Sequence, residues 1–201
     1  MTLPDRLRLP FAFDPAALQH DLDGLAGDAW IAHFVQQNYQ GDWSVLPLRG
    51  TAGAAHPVLA IYSDPTATAF EDTPLLARCP NFAAVLARFA CELQAVRLMR
   101  LTPGSAILEH SDHDLSVEDG HARIHVAVAT NPGVVFELNR RRVVLEAGSA
   151  WYLRLSDPHR VVNHGATDRV HLVIDTVAND WLREMLAGAA RDQAASASAG
   201  A

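Results

Sequence analysis

The chain is 201 residues long, 49% apolar and 19% charged, with a formal net charge of −7, which suits one globular domain with a sizeable core rather than two. All 16 basic residues are arginine, which excludes a Schiff-base lysine, a lysine general base and a phosphate-loop lysine. The acidic balance argues against a broad nucleic-acid surface, and no run approaches the roughly eighteen apolar residues of a membrane span.

The N-terminus, MTLPDRLRLPFAF, lacks the long apolar region of a secretory signal. Asp14 before Pro15 reads as an N-cap and first-turn proline opening a helix through AALQHDL. GDWSVLPLRG (41–50) reads as a strand whose alternation puts Trp43, Val45, Pro47 and Arg49 on one side. Pro80 with NFAAVLARFA predicts a second helix, with Phe82, Val85, Leu86 and Phe89 on one stripe. Cys79 and Cys91 lie in no CxxC, so free thiols in a reducing cytoplasm are expected.

From about Leu93 to Thr176 the texture changes to short alternating runs: LQAVRLMRL, SAILEH, ARIHVAVAT, VVFEL, RVVLEA, SAWYLRL, HRVVNH and RVHLVID. Breaks at PG (103–104), NPG (131–133), NRR (139–141), AG (147–148), SDP (156–158) and HGATD (164–168) separate them. Strands so spaced predict a mainly β sandwich or jelly roll, with the N-terminal helices packed on its outer face. Asp180 with WLREML predicts a closing helix. The resulting layout is one domain over 1–188, comprising a helical and strand part (1–92), a β core (93–177) and the closing helix (180–188). Residues 189–201, mostly Ala, Ser and Gly, read as a flexible tail.

Seven of the ten histidines lie between His110 and His171. His110-Ser111-Asp112 ends a strand, and side chains at i and i+2 of extended backbone share a face and can meet one metal ion. Alone the pattern is weak, since a chain this rich in His and Asp carries such a tripeptide about once by chance. The pair His159 and Arg169 strengthens it: each begins a strand, and the HGATD turn between them lets a hairpin bring both beside one cavity. Two histidines and a carboxylate on one face of Fe(II) leave positions open, the pattern of non-haem iron oxygenases. A nearby arginine suits the distal carboxylate of 2-oxoglutarate, whose keto-acid end would take two open positions and O₂ the third. Alternation adds that Arg123 and His125 share one strand face, as do Arg169 and His171. A solvated face accounts for either strand alone, and less well for both together with His110, Asp112 and His159.

The stretches LTPGSAILEHSD, RIHVAV and PHRVVNHGATDRVHLVID make the segment from about Leu98 to Asp175 resemble the aspartyl/asparaginyl β-hydroxylases, Fe(II)- and 2-oxoglutarate-dependent dioxygenases built on a double-stranded β-helix. The resemblance implies iron ligands at His110 and His159, Arg169 on the distal carboxylate of 2-oxoglutarate, and His125 with Arg123 at its other end. Some members work with two histidines alone; here Asp112 completes a facial triad. The acidic loop HDLSVEDGHA is longer than in the membrane-anchored members, and no counterpart of their anchor or helical repeat region is found. The chain is closer in size and layout to the short soluble members, which include proline cis-hydroxylases.

The expected activity is hydroxylation of an amino-acid C–H, in a free amino acid or short peptide. Arg49 and Trp43 are candidates to grip that substrate, and Asn163, on the strand face of His159, to reach the cavity. The composition of loop 111–121 would allow closure over the pocket, and homo-oligomerisation is left open. The alternatives are proline cis-hydroxylation, a cupin-like metal isomerase or lyase, and a non-catalytic binding sandwich. Nucleophilic hydrolysis has no support, since GxSxG is absent and neither cysteine has a local base.

Overall fold

The computed structural model describes residues 3–54, 56–62, 66–113 and 115–199, so Asp114 of the expected 111–121 loop and the last two residues of the expected tail lie outside the described residues. In chain order the elements are β1 (Arg6–Ala12), α1 (Pro15–Asp23), β2 (Ile31–Ala32), β3 (Tyr39–Gln40), β4 (Trp43–Thr51), α2 (Pro57–Ile61), β5 (Phe70–Asp72), α3 (Pro80–Leu86), β6 (Leu93–Leu101), β7 (Ala106–His110), β8 (His121–Ala129), β9 (Val134–Leu138), β10 (Arg141–Val143), β11 (Ser149–Leu153), β12 (His159–Asn163), β13 (Arg169–Val177) and α4 (Asp180–Ala199).

The local rules hold where the sequence states them. The Asp14 carboxylate accepts from the Ala16 N–H at 2.9 Å and caps α1. α3 has no side-chain cap of its own. Buried Asp21 of α1 supplies one, accepting from the Phe82 N–H and from Asn81 Nδ2, both at 2.8 Å. Asn139 and Arg140 both adopt positive φ, +51° and +57°, the two-residue turn that matches strand twist in a tight hairpin; β9 and β10 pair directly across it.

The strands form two antiparallel sheets. The larger runs β1-β11-β8-β13-β6-β4-β2, with β5 paired to β4; the smaller runs β10-β9-β12-β7-β3. Both faces of the larger sheet are covered. Val96, Leu98, Ile124, Val126, Leu172 and Ile174 face outward into one core with Phe82, Val85, Leu182 and Leu186 of α3 and α4. The alternate positions face the smaller sheet, where Met99, Ala127 and Val173 meet Ile107, Phe136 and Val161. This is the expected jelly roll with helices on its outer side.

Two elements differ from expectation. RLRLPFA is a strand, β1, paired with β11; as an edge strand it accommodates Pro10. The closing helix continues past 188 to Ala199, carried by an alanine-rich run after Asn179 Oδ1 accepts from the Leu182 N–H at 3.0 Å. Among the described residues no helix is long and apolar enough to cross a membrane.

Candidate active site

At one end the two sheets enclose a cavity of about 720 Å³. Its larger-sheet wall is polar because Arg97 on β6, Arg123 and His125 on β8, and Arg169 and Asp175 on β13 all occupy inward positions. Its opposite wall holds two histidines. His110 ends β7, His159 begins β12, and the two are register partners with ring centroids 4.3 Å apart. Asp112 lies just past β7, anchored by its N–H on Leu155 O at 2.9 Å.

Candidate ligand atoms of His110, Asp112 and His159 all lie within 4.8 Å of one another. His110 Nδ1 sits 2.7 Å from Leu108 O and His159 Nδ1 sits 3.1 Å from Asp157 O. A carbonyl only accepts, so both Nδ1 atoms carry a proton and both Nε2 atoms are left to face a ligand. Burial pushes His159 down to about 4, which keeps its Nε2 unprotonated at neutral pH. Asp112 Oδ2 accepts from Arg123 NH1 at 2.7 Å, while Oδ1 points toward His110 Nε2, 3.6 Å away. Two imidazole Nε2 atoms and one oriented carboxylate oxygen fit a divalent cation that retains open positions.

Behind this trio lies a charge chain. Arg123 forks onto Asp175 with bonds of 2.6 and 3.0 Å, and Asp175 also accepts from Arg97, whose NH1 donates to Ile61 O at 2.9 Å. Burial acts to lower Arg123, but Asp175 and Asp112 outweigh it and its pKa is raised. Asp175→Asn is expected to leave two buried guanidiniums short of charge and to cost about 3–5 kcal/mol, read from the urea midpoint of unfolding.

Arg169 differs. It is 2% exposed, its Nε has no partner, and its NH2 donates to His171 Nδ1 at 2.8 Å. No carboxylate partners it among the described residues, and burial pushes it down to about 9. Because an arginine only donates, His171 Nδ1 must accept; His125 Nδ1, 3.2 Å from the same atom, must then donate. His125 Nε2 is left buried and unpartnered. An uncompensated buried guanidinium is costly, and a ligand carboxylate would compensate it.

His33, His125 and His171 are neutral in the fold, each lowered first by burial and then by neighbouring arginines, His33 to about 3 and the other two well below the ordinary value. The unfolded chain takes up their protons near pH 6.5, so stability is held above that pH and lost as pH falls toward the folded values. The metal-free protein is expected to lose about 1.4 kcal/mol per pH unit for each histidine below pH ~6, measured by denaturation at successive pH values.

The structure thus brings together His110, Asp112, His159, Arg123, His125, Arg169 and Trp43 around one cavity. Other expectations need correction. Arg123, expected at a ligand's keto-acid end, lines the cavity and also donates from all three of its nitrogens to Asp112 and Asp175, so it orients Asp112 as well. Arg49 lies outside the cavity because the β4–β6 register shifts after Pro47, turning it to Asp72 (2.6 Å), Leu93 O and Phe70 O. Asn163 is spent on the turn beyond β12, donating to Leu101 O and Thr167 O and accepting from Asn131 and the Gly165 N–H. Ser111, His113, Leu115 and Asp119 of the 111–121 loop line the cavity. The sequence reading missed Arg97, one of two charges in an otherwise largely apolar strand, and His33, which no periodicity marks.

Residues 16–179 match the aspartyl/asparaginyl beta-hydroxylase family. An L-proline cis-4-hydroxylase of Rhizobium meliloti (strain 1021) is 27% identical over 179 residues, covering 87% of this chain; the chain spans 61% of that protein's length. Among solved structures, a 2OG-Fe(II) oxygenase-family oxidoreductase from Burkholderia pseudomallei matches with a TM-score of 0.53 at 15% identity, over 87% of this chain and 86% of the other. A Pseudomonas putida prolyl-4-hydroxylase matches with a TM-score of 0.53 at 10% identity, over 87% and 93%. These structural matches establish the fold.

Proposed function

Because this chain belongs to the aspartyl/asparaginyl β-hydroxylase family, we propose that it is an Fe(II)- and 2-oxoglutarate-dependent dioxygenase that hydroxylates a C–H of a small amino-acid substrate. The observation that carries the reading is one cavity lined by both the His110–Asp112–His159 trio and a buried arginine that no carboxylate partners among the described residues. The trio would hold the iron. With 2-oxoglutarate and O₂, the bound metal supplies the oxidation that places one oxygen atom on a substrate carbon, with succinate and CO₂ as co-products.

The protein's own contributions follow from its residues. Arg169 receives the distal carboxylate through its planar fork, in a dry pocket where a charge-assisted bond is strong. Arg123 fixes the carboxylate plane of Asp112, and Asp175 fixes Arg123, so the ligand set is held before metal arrives. Trp43, Phe34 and Tyr62 form an apolar flank that excludes water.

Aspartyl or asparaginyl oxidation is the first substrate reading. Hydroxylation of free proline is the second, favoured by the similarity to the L-proline cis-4-hydroxylase. The test is anaerobic binding of Fe(II) and 2-oxoglutarate, followed by an aerobic panel of L-proline, L-aspartate, L-asparagine and short peptides. Succinate release and a product one oxygen atom heavier are expected. Absence of any 2-oxoglutarate consumption overturns the proposal.

A further inference from the structure

Resting on the dioxygenase reading, we infer that His33 orients the substrate, donating its Nε2–H to the carboxylate of a compact amino acid held between the metal-ligand trio and the aromatic flank. His33 is tied to β4 by its backbone N–H, which donates to Trp43 O at 2.9 Å. Its ring stacks on Trp43 at 3.6 Å and 8° on one contact, and on Phe34 at 4.8 Å and 18° on another. Rotation of the imidazole would forfeit both contacts, so its orientation is fixed.

The tautomer follows from one bond. The Val35 N–H points at His33 Nδ1 from 3.3 Å, so Nδ1 accepts and the proton resides on Nε2. No group among the described residues receives that Nε2–H. His33 is nevertheless 8% exposed and lines the cavity, so the donor serves whatever enters. The charged and titratable groups that act on the ring are Arg97, Arg123, Asp112 and His110, the arginines most strongly. Burial, Arg97 and Arg123 outweigh Asp112 and keep the imidazole neutral, so its N–H is offered to a carboxylate beside two guanidiniums.

The flank fits a small partner. Tyr62 meets Phe34 edge-on at 5.5 Å and 79°, and both remain partly exposed, 38% and 39%, where the cavity opens. The same cavity must also admit 2-oxoglutarate against Arg169, which leaves room for a single compact residue.

The test uses the catalytically inert zinc(II) protein loaded with 2-oxoglutarate, titrated calorimetrically with L-proline, L-aspartate and L-asparagine, each beside its α-carboxamide. At least one acid is expected to bind about tenfold or more tightly than its amide. His33→Phe keeps the stack and removes the donor, and should bring that preference below about threefold while leaving 2-oxoglutarate affinity unchanged. His33→Gln retains an N–H donor and should retain most of the preference. Preserved preference in His33→Phe, loss of it in both variants, or no preference in the parent protein overturns the inference. Failure of the iron(II) parent to consume 2-oxoglutarate strikes the dioxygenase reading instead, so the two failures are distinguishable.

Discussion

His159→Ala is expected to eliminate substrate-dependent succinate formation, by more than about a hundredfold, and His110→Ala to do the same. Both histidines present a free Nε2 because a backbone carbonyl holds the opposite nitrogen, and alanine removes that lone pair. The rings meet across adjacent strands, tilted at 52° with centroids 4.3 Å apart, so the register of β7 on β12 sets both positions. Fe(II) titration in the absence of oxygen separates this from a folding defect: each variant should keep its secondary structure and its Arg169-dependent 2-oxoglutarate site while losing tight metal binding. Full turnover in either variant would remove that residue from the metal set and overturn the trio.

Arg169→Leu is expected to act in opposite directions on the free and the loaded protein. In the free protein a desolvated guanidinium without a carboxylate is replaced by an apolar side chain, and stability should rise by about 1–4 kcal/mol. In the loaded protein the co-substrate loses its charged partner, and the KM for 2-oxoglutarate should rise by at least ~30-fold, equivalent to about 2 kcal/mol. Thermal shift reports both effects. The parent protein should gain about 2.7 kcal/mol at a hundredfold excess of 2-oxoglutarate over its Kd, and the variant almost nothing at the same concentration. A destabilised variant that still binds 2-oxoglutarate would mean that Arg169 serves packing alone.

The core strands were legible in the sequence because each has one face on the helices and one on the smaller sheet, so hydrophobic alternation is imposed twice along β6, β8 and β13. The same periodicity put Arg123 with His125, and Arg169 with His171, on one strand face each; the structure turns those faces inward. Periodicity could not reveal partners. Arg123 and Asp175 lie 52 residues apart, and only their register makes Arg123 a support for Asp112. Arg49 followed the expected alternation until a single register shift after Pro47 turned it to the sheet edge. Such a shift arises from the pairing of two strands, so neither strand's composition carries a trace of it.

By itself, then, the sequence determined which residue types could form a metal site and an anion site, and which strands would bear them: alternation and turn residues act over a few positions and are written locally. The tertiary structure decided which of those residues are free to act. Among the described residues no carboxylate reaches Arg169, whereas two hold Arg123, and His33 enters the site from a short segment with no pattern of its own. Hydrogen-bond satisfaction in a buried cavity is a property of contacts made across the fold, and those contacts exist only once both sheets have closed on each other.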